Sequence, residues 1–391
     1  MEHSPGVTLR EIEPLDADWW RRIKGPTAHA RGLPNVYYLS DHVLEHERRR
    51  LFFKTWCLAG RVSELPVIGA AVPIEVAGQP LIMIRVAEQQ VSVFHNVCPH
   101  RGARLVSDYC ELGASLVCPY HAWTYALDGQ LKSRSHFGGP GVHDTTGGDS
   151  GGTISLAEVR SRTWFDWVFV DLSGLAPDFD QHLQPVLRRL SDFPLDQFDY
   201  YDSLRCEFAA NWKLVAENYF DVYHVFRVHP DLNRMYGGPR TSNHIDGILL
   251  YNEYFASAQD RGGGLPEPDG LPESWSRRVL FGNLFPNLGI SVYPSSVYLV
   301  EFVPLAPDRT AMQMHFYFAR DAVGNAATEQ GRASVLAWWR ELNGEDEQVC
   351  ELLQLGRQSS AYPGGRLAPH WDRATQHFAR LIAEALHGDT Q

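Results

Sequence analysis

CPHRG at Cys98–Gly102 and CPYHAW at Cys118–Trp123 decide how the rest of this 391-residue chain is read. Each stretch holds one cysteine and one histidine, Cys98-x-His100 and Cys118-x-x-His121, with seventeen residues between His100 and Cys118. Two thiolates and two imidazoles suit either a tetrahedral zinc ion or a two-iron, two-sulfur (2Fe-2S) cluster with mixed ligands. Zinc sites usually pair Cys with Cys and His with His, about two to four and about three to five residues apart. Here each half carries one sulfur and one nitrogen, so two His can face one iron while two Cys hold the other. His in place of Cys raises the reduction potential of such a cluster. An accidental set of core Cys and His would need four soft ligands in two tight turns, with proline beside both cysteines.

The bulk composition narrows the setting. Hydrophobic residues make up 44% and charged residues 21%, as in ordinary globular proteins, and the length allows two or three domains. With 35 Lys and Arg against 47 Asp and Glu, and no basic block, a nucleic-acid partner is excluded. Cysteines stand at 57, 98, 110, 118, 206 and 350. Four of them form no spacing framework, which points to free thiols in a reducing compartment. The first thirty residues are polar, and no apolar run approaches the roughly eighteen residues of a membrane span. The expectation is a cytoplasmic protein.

Taken in order, residues 1–45 read as a partly helical arm in which Trp19-Trp20-Arg21-Arg22 is a patch for packing on a neighbour. Asp41 to Trp56 has helical apolar spacing at Val43, Leu44, Leu51, Phe52 and Trp56. From Cys57 short β runs (AAVPIEV, PLIMIRV, VSVFHNV) lead into the first Cys/His loop, while Leu127-Asp128-Gly129-Gln130 signals a hairpin after the second. The ligands therefore sit on two loops of a small antiparallel β domain, with strand signals over 57–172 and bounds of 46–172. Residues 138–153, rich in Gly, Asp and Thr, read as a flexible excursion. Residues 173–391 form the second domain, with a helix over 178–190, a strand over 203–210, β runs over 246–320, and helices over 327–357 and 371–386.

NWKLVAENYFDVYHVFRVHP, Asn211 to Pro230, carries a second constellation. Asn211 is an acceptable N-cap, and Glu217, Asp221 and His224 fall on one stripe of the helix it would start. His229 lies five residues beyond His224, about 140° around a regular helix, so the rings converge only if the helix breaks or carries a π-bulge. Two His and one carboxylate with open positions form the facial triad of non-haem iron(II) sites.

On these residues the sequence resembles the α subunit of the Rieske non-haem iron oxygenases, also called ring-hydroxylating oxygenases. The family pattern Asp-x-x-His-x4-His after an Asn stands here as Asn218, Asp221, His224 and His229, and the resemblance covers residues 45 to 385. No cysteine lies in Pro99–Arg104 or Pro119–Thr124, which favours the soluble, ferredoxin-like type of Rieske domain over the respiratory type. The resemblance implies an α+β fold: a small antiparallel β Rieske 2Fe-2S domain and a helix-grip (START-like) catalytic domain of antiparallel sheet and helices. It implies a cluster on Cys98, His100, Cys118 and His121. It also implies a mononuclear Fe(II) on His224, His229 and Asp346, the last within GEDEQVCELLQ (Gly344–Gln354), with Glu345 and Glu347 as the alternatives. Asn218 and Asp221 are the implied catalytic residues, Asp221 linking His224 to His121 of the neighbouring subunit. The implied assembly is a head-to-tail homotrimer, with or without a β subunit. Electrons would come from a separate NAD(P)H flavin reductase, with or without a ferredoxin, because the chain has no Rossmann glycine fingerprint. O2 is the implied cosubstrate.

The expected activity is hydroxylation of a small organic substrate, an aromatic ring or a quaternary amine, by a terminal mono- or dioxygenase. An electron carrier without oxygenase activity would lack the His/His/Asp set, and a zinc-stabilised binding protein would be colourless. The ED-x-x-V-C-E-x-x-Q stretch and the chain length look similar to the quaternary-amine branch of the family, although aromatic acid dihydroxylases share much of the pattern. Candidate pocket residues are Tyr219, Phe220, Phe285, Asn287 and Tyr293, and an aromatic cage would attract a trimethylammonium group.

Overall fold

The computed structural model describes residues 12–146, 148–149, 152–235, 243–255 and 264–388. It divides into two compact units, Phe52–Gln181 and a discontinuous one built from Met1–Leu51 with His182–Gln391. These bounds differ from the 45/46 and 172/173 divisions read from the sequence. The Asp41–Arg50 helix belongs to the larger unit, and its continuation breaks into a single 3₁₀ turn at Phe52–Lys54.

The described residues of Phe52–Gln181 form two larger antiparallel sheets and a two-stranded ribbon. The seven-stranded sheet runs, in spatial order, Cys57–Arg61, Trp167–Asp171, Glu158–Trp164, Gln90–His95, Gln79–Ala87, Ala70–Val76 and Cys110–Glu111. A four-stranded sheet of Leu116–Val117, Trp123–Tyr125, Leu131–Gly139 and Val142–Asp144 carries the second Cys/His loop. The apolar β run Leu81–Ile84 is shielded on both faces of its strand, and Ile82, Ile84 and Phe94 join Leu116, Trp123, Tyr125 and Leu131 in one core. The Leu127–Gln130 hairpin forms, its turn closed by Asp128 Oδ1 accepting from the Gln130 amide and by Gly129 at φ +85°. The excursion expected over 138–153 is structured where described, with the ribbon Gly148–Asp149 and Gly152–Thr153; residues 147, 150 and 151 lie outside the described residues.

The larger unit is built on a seven-stranded antiparallel sheet in the order Phe198–Phe208, Arg309–Ala319, Ser296–Ala306, Leu288–Tyr293, Arg278–Leu284, Leu249–Phe255 and Asn243–Asp246. Helices Trp212–Phe220, Glu329–Gly356 and Arg373–His387 pack with it. Sheet plus helices match the expected α+β class. Helix Trp212–Phe220 is capped by Asn211, whose side chain accepts from the Lys213 amide at 3.1 Å. Its buried face meets helix Asp41–Arg50 through an ion pair with no solvent exposure, Lys213 Nζ to Glu47 Oε1 at 2.6 Å.

Trp19 and Trp20 are buried within their own chain rather than presented to a neighbour. Trp19 Nε1 donates to the Gly32 carbonyl, and Gln376 of the last helix donates to the carbonyls of Ile23 and Gly25.

Candidate metal centres

The first loop leaves strand Gln90–His95 and is pinned by Asn96. This buried side chain donates to the Val106 carbonyl and accepts from the Leu105 and Val106 amides, at 2.7, 3.0 and 3.0 Å. The two Cys/His loops are then built alike. The Gly102 amide donates to the Cys98 carbonyl and the Ala122 amide to the Cys118 carbonyl, with Gly102 and Ala122 both at positive φ. Each cysteine is thus placed at the base of a tight turn.

Cys98 and Cys118 lie in the apolar core, whereas His100 is exposed and His121 half-buried. The thiols are buried and the imidazoles lie nearer the surface, an arrangement that suits a cluster with one Cys-bound and one His-bound iron. Burial holds the Cys98 thiol above its usual range, and Cys118 lies within hydrogen-bonding reach of it. The His100 and His121 rings are 4.8 Å apart, and Nδ1 of His121 is buried with no hydrogen-bond partner. An orphaned ring nitrogen beside two facing thiols is costly in a folded protein unless something soft binds there. The four residues therefore fit a mixed-ligand 2Fe-2S cluster. Behind them, the indole of Trp123 stacks on His100 at 4.6 Å and 6°, and the buried hydroxyl of Tyr125 lies 3.1 Å from Cys98 Sγ.

In the larger unit the helix breaks; no π-bulge forms. Helix Trp212–Phe220 ends at Asp221 in an extended conformation (φ −72°, ψ 138°), one turn forms at Val225–Val228, and His229 leaves that turn at φ −117°, ψ 71°. Asp221 therefore does not share a helical stripe with Glu217 and His224. Its carboxylate accepts from the Tyr223 and His224 amides and meets Nδ1 of His224 at 2.9 Å. Glu217 instead points inward, accepts from the Tyr38 hydroxyl, and is pushed up to about 7 by burial despite the nearby Arg357.

The break brings together donors that a straight helix would separate. His224, His229 and Asp346 each offer one ligand atom, all within 4.8 Å of one another. Nε2 of His229 is 2.9 Å, and Nε2 of His224 3.5 Å, from the same Asp346 oxygen, which also accepts from Asn218 Nδ2 at 3.1 Å. Glu345 sits elsewhere, its Oε2 2.6 Å from Nδ1 of His229. Burial pushes His229 down, but the two carboxylates outweigh it and the net shift is upward. A divalent cation would take the place of that proton. Two imidazoles whose Nδ1 atoms face carboxylates, and whose Nε2 atoms converge on a third, fit a two-His, one-carboxylate iron site.

The five pocket candidates separate. Tyr219, next in sequence to Asn218, is half-buried, its hydroxyl 2.7 Å from Ser291 Oγ and its ring against Phe302. Tyr293 packs on Tyr298, which packs on Trp339 of the long helix. Phe220 and Phe285 instead pack on Phe378 of the last helix, and Asn287 uses its amide on the Phe302 carbonyl. Sequence reasoning missed Tyr298 and Trp339, whose apolar pattern is that of any core strand and helix. It also missed a contact made just before the last helix, where Trp371 stacks on Tyr223 at 5.1 Å and 2°.

The family model described as ring hydroxylating alpha subunit (catalytic domain) matches residues 195–388, and the Rieske 2Fe-2S domain model matches residues 55–138. Between them they span both donor sets. The chain belongs to the Rieske oxygenase alpha subunits. It is 26% identical to the carnitine monooxygenase oxygenase subunit of Acinetobacter pittii, over 90% of this chain and 94% of that one. It is 32% identical to the glycine betaine monooxygenase oxygenase subunit of Pseudomonas aeruginosa, over 52% of this chain but only 46% of the length of that relative. A solved quaternary ammonium Rieske monooxygenase shares the fold, with a TM-score of 0.80 at 23% identity, covering 96% of this chain and 100% of the other. The oxygenase alpha-subunit family thus carries the two metal groups that the donor sets fit. Among the described residues no helix is long and apolar enough to cross a membrane.

Proposed function

We propose that this chain is the terminal oxygenase of a Rieske system and that its substrate is a small quaternary ammonium compound. The observation that carries the first part is the convergence of His224, His229 and Asp346 on one point. The 2Fe-2S cluster would supply single electrons, and the iron would supply the chemistry that couples O2 to hydroxylation. Cys98, His100, Cys118 and His121 would hold the cluster. Asp221 fixes the His224 ring through Nδ1, so that its Nε2 lone pair faces the metal. Asn218 holds the Asp346 carboxylate through one oxygen, which limits how that group can turn.

Asp221 also stands as the link to His121 of a neighbouring subunit in a head-to-tail homotrimer, with or without a β subunit. Inter-subunit electron transfer is described for the solved quaternary ammonium monooxygenase. Electrons would reach the cluster from a separate NAD(P)H flavin reductase, with or without a ferredoxin, in the cytoplasm.

Two features favour the amine over an aromatic ring. The carnitine monooxygenase oxygenase subunit of Acinetobacter pittii is matched over 94% of its length, the aromatic 2-aminobenzenesulfonate 2,3-dioxygenase over 73%. The second is the run of π faces from Tyr219 through Tyr293 and Tyr298 to Trp339, on the two helices that carry Asn218 and Asp346 and on the strands beside them. Such faces attract a methylated ammonium ion by about 0.5–2 kcal/mol each, without needing a carboxylate. Hydroxylation of an N-methyl carbon would release formaldehyde, and attack on the adjacent methylene would release another aldehyde.

The test is a single turnover of the pre-reduced, iron-loaded protein with O2, offered carnitine, glycine betaine and 2-aminobenzenesulfonate. Mass spectrometry reads the products. An aldehyde from a quaternary amine is the expected result; a cis-diol or ring-hydroxylated product would move the protein to aromatic catabolism.

A further inference from the structure

We propose that Glu345 is a positioning residue for the mononuclear metal, acting only through His229; this rests on the metal-site reading above. Its neighbour Asp346 is a donor, but Glu345 occupies the opposite side of the same imidazole. Oε2 of Glu345 is 2.6 Å from His229 Nδ1, while Asp346 Oδ1 is 2.9 Å from His229 Nε2. One ring is therefore clamped between consecutive residues of helix Glu329–Gly356, whose side chains leave that helix about 100° apart.

His229 has particular need of such a clamp. His224 receives two supports from Asp221, one at its backbone amide and one at its ring, and it stands at the cap of a helical turn. His229 closes the same turn as its C-cap, its amide donating to the Val225 carbonyl, but at φ −117°, ψ 71° its backbone is not helical, so no helical repeat sets its ring direction. With Asp346 on the metal side, Glu345 is the carboxylate that determines which nitrogen carries the proton. Holding the proton on Nδ1 presents Nε2 as the lone pair, and a charged acceptor behind the ring makes that nitrogen a stronger donor. The two histidines are then matched, each with its own carboxylate, but only Asp221 lies outside the long helix. Glu345 ties the angle of His229 to the helix that carries the third ligand. Movement of that helix would move two of the three donors together.

The experiment uses the full chain with its cluster oxidised and compares wild type with Glu345→Ala and Glu345→Gln. Fe(II) affinity is measured anaerobically against a competing chelator, and Co(II) in the same site is examined by low-temperature EPR. Glu345→Ala is expected to weaken Fe(II) binding by about 10- to 100-fold and to shift the Co(II) g values. Glu345→Gln keeps a neutral acceptor for Nδ1–H and is expected to lose less than about 10-fold, the cluster spectrum and Tm staying as in wild type. Wild-type affinity and g values in Glu345→Ala would overturn the proposal. So would equal losses in both variants accompanied by a lower Tm, since that is a folding effect. If the wild type itself bound no Fe(II) beyond the cluster, the metal-site reading would fall with it.

Discussion

At the scale of single residues, the chemistry of both sites depends on which atom of a side chain faces the metal. Tyr125 illustrates this at the cluster. Its buried hydroxyl lies 3.1 Å from Cys98 Sγ, and toward a metal-bound thiolate it can only donate. A hydrogen bond to sulfur stabilises the reduced, more negative cluster over the oxidised one. Tyr125→Phe is therefore expected to lower the reduction potential. A differential of about 1 kcal/mol corresponds to on the order of 40 mV for a one-electron couple. Protein-film voltammetry or a dye titration would measure it, and an unchanged or raised potential would remove Tyr125 from this role. At this scale the sequence is readable for identities and unreadable for directions. The four cluster residues and His224, His229 and Asp346 stand out as Cys, His and Asp at telling spacings. Glu345 and Asp346 differ by one position, and only the angle of the helix shows that one faces Nε2 of His229 and the other Nδ1.

Secondary-structure elements are legible where a pattern repeats and illegible where it stops. The strand Ala70–Val76 and the helix Glu329–Gly356 emerge from alternation and from helical spacing. The strand Arg278–Leu284 is not separated out of the longer β region read over 246–320, although Pro286 and Asn287 mark its end. The break after Phe220 is invisible to periodicity, because the residues beyond it would also suit a helix; Asp221 wins by capping the Tyr223 and His224 amides. The short helix before that break is held in register by the ion pair of Lys213 and Glu47, both without solvent exposure, with Trp212 Nε1 donating to the other Glu47 oxygen at 2.8 Å. Burial lowers the Lys213 pKa and the Glu47 charge opposes that shift. Lys213→Met would leave an uncompensated buried carboxylate, at a cost of about 3–5 kcal/mol. Adding Glu47→Gln removes the charge yet keeps an acceptor for the Trp212 indole, so the double variant is expected to recover most of that loss. Guanidinium denaturation compares the two. A loss below about 1 kcal/mol in Lys213→Met would mean that the pair is not ionised in the interior.

For the whole molecule, the division into two units coincides with a division of donors. All four cluster residues lie within Phe52–Gln181, together with the core that positions them. His224, His229, Asp346, Asn218 and Asp221 all lie in the other unit. Neither donor set borrows a side chain from the other unit, so each metal should be lost or kept independently. The bounds of these units are not legible in the sequence, because Asp41–Arg50 joins the sheet-bearing unit through contacts far along the chain, Glu47 with Lys213 among them. Independent donor sets predict a clean separation of phenotypes in the intact protein. His224→Ala removes one of three donors and leaves a His and a carboxylate, too few for a tight divalent site. Purified with excess iron, that variant is expected to keep its two cluster irons, its red-brown colour and its visible absorption, and to lose the mononuclear iron. Iron analysis alongside the spectrum would therefore fall from about three irons per chain to about two. Turnover should vanish, while chemical reduction of the cluster still goes to completion. Loss of the colour instead would show that the His224 turn supports the other unit, and the independence of the two sites would be wrong.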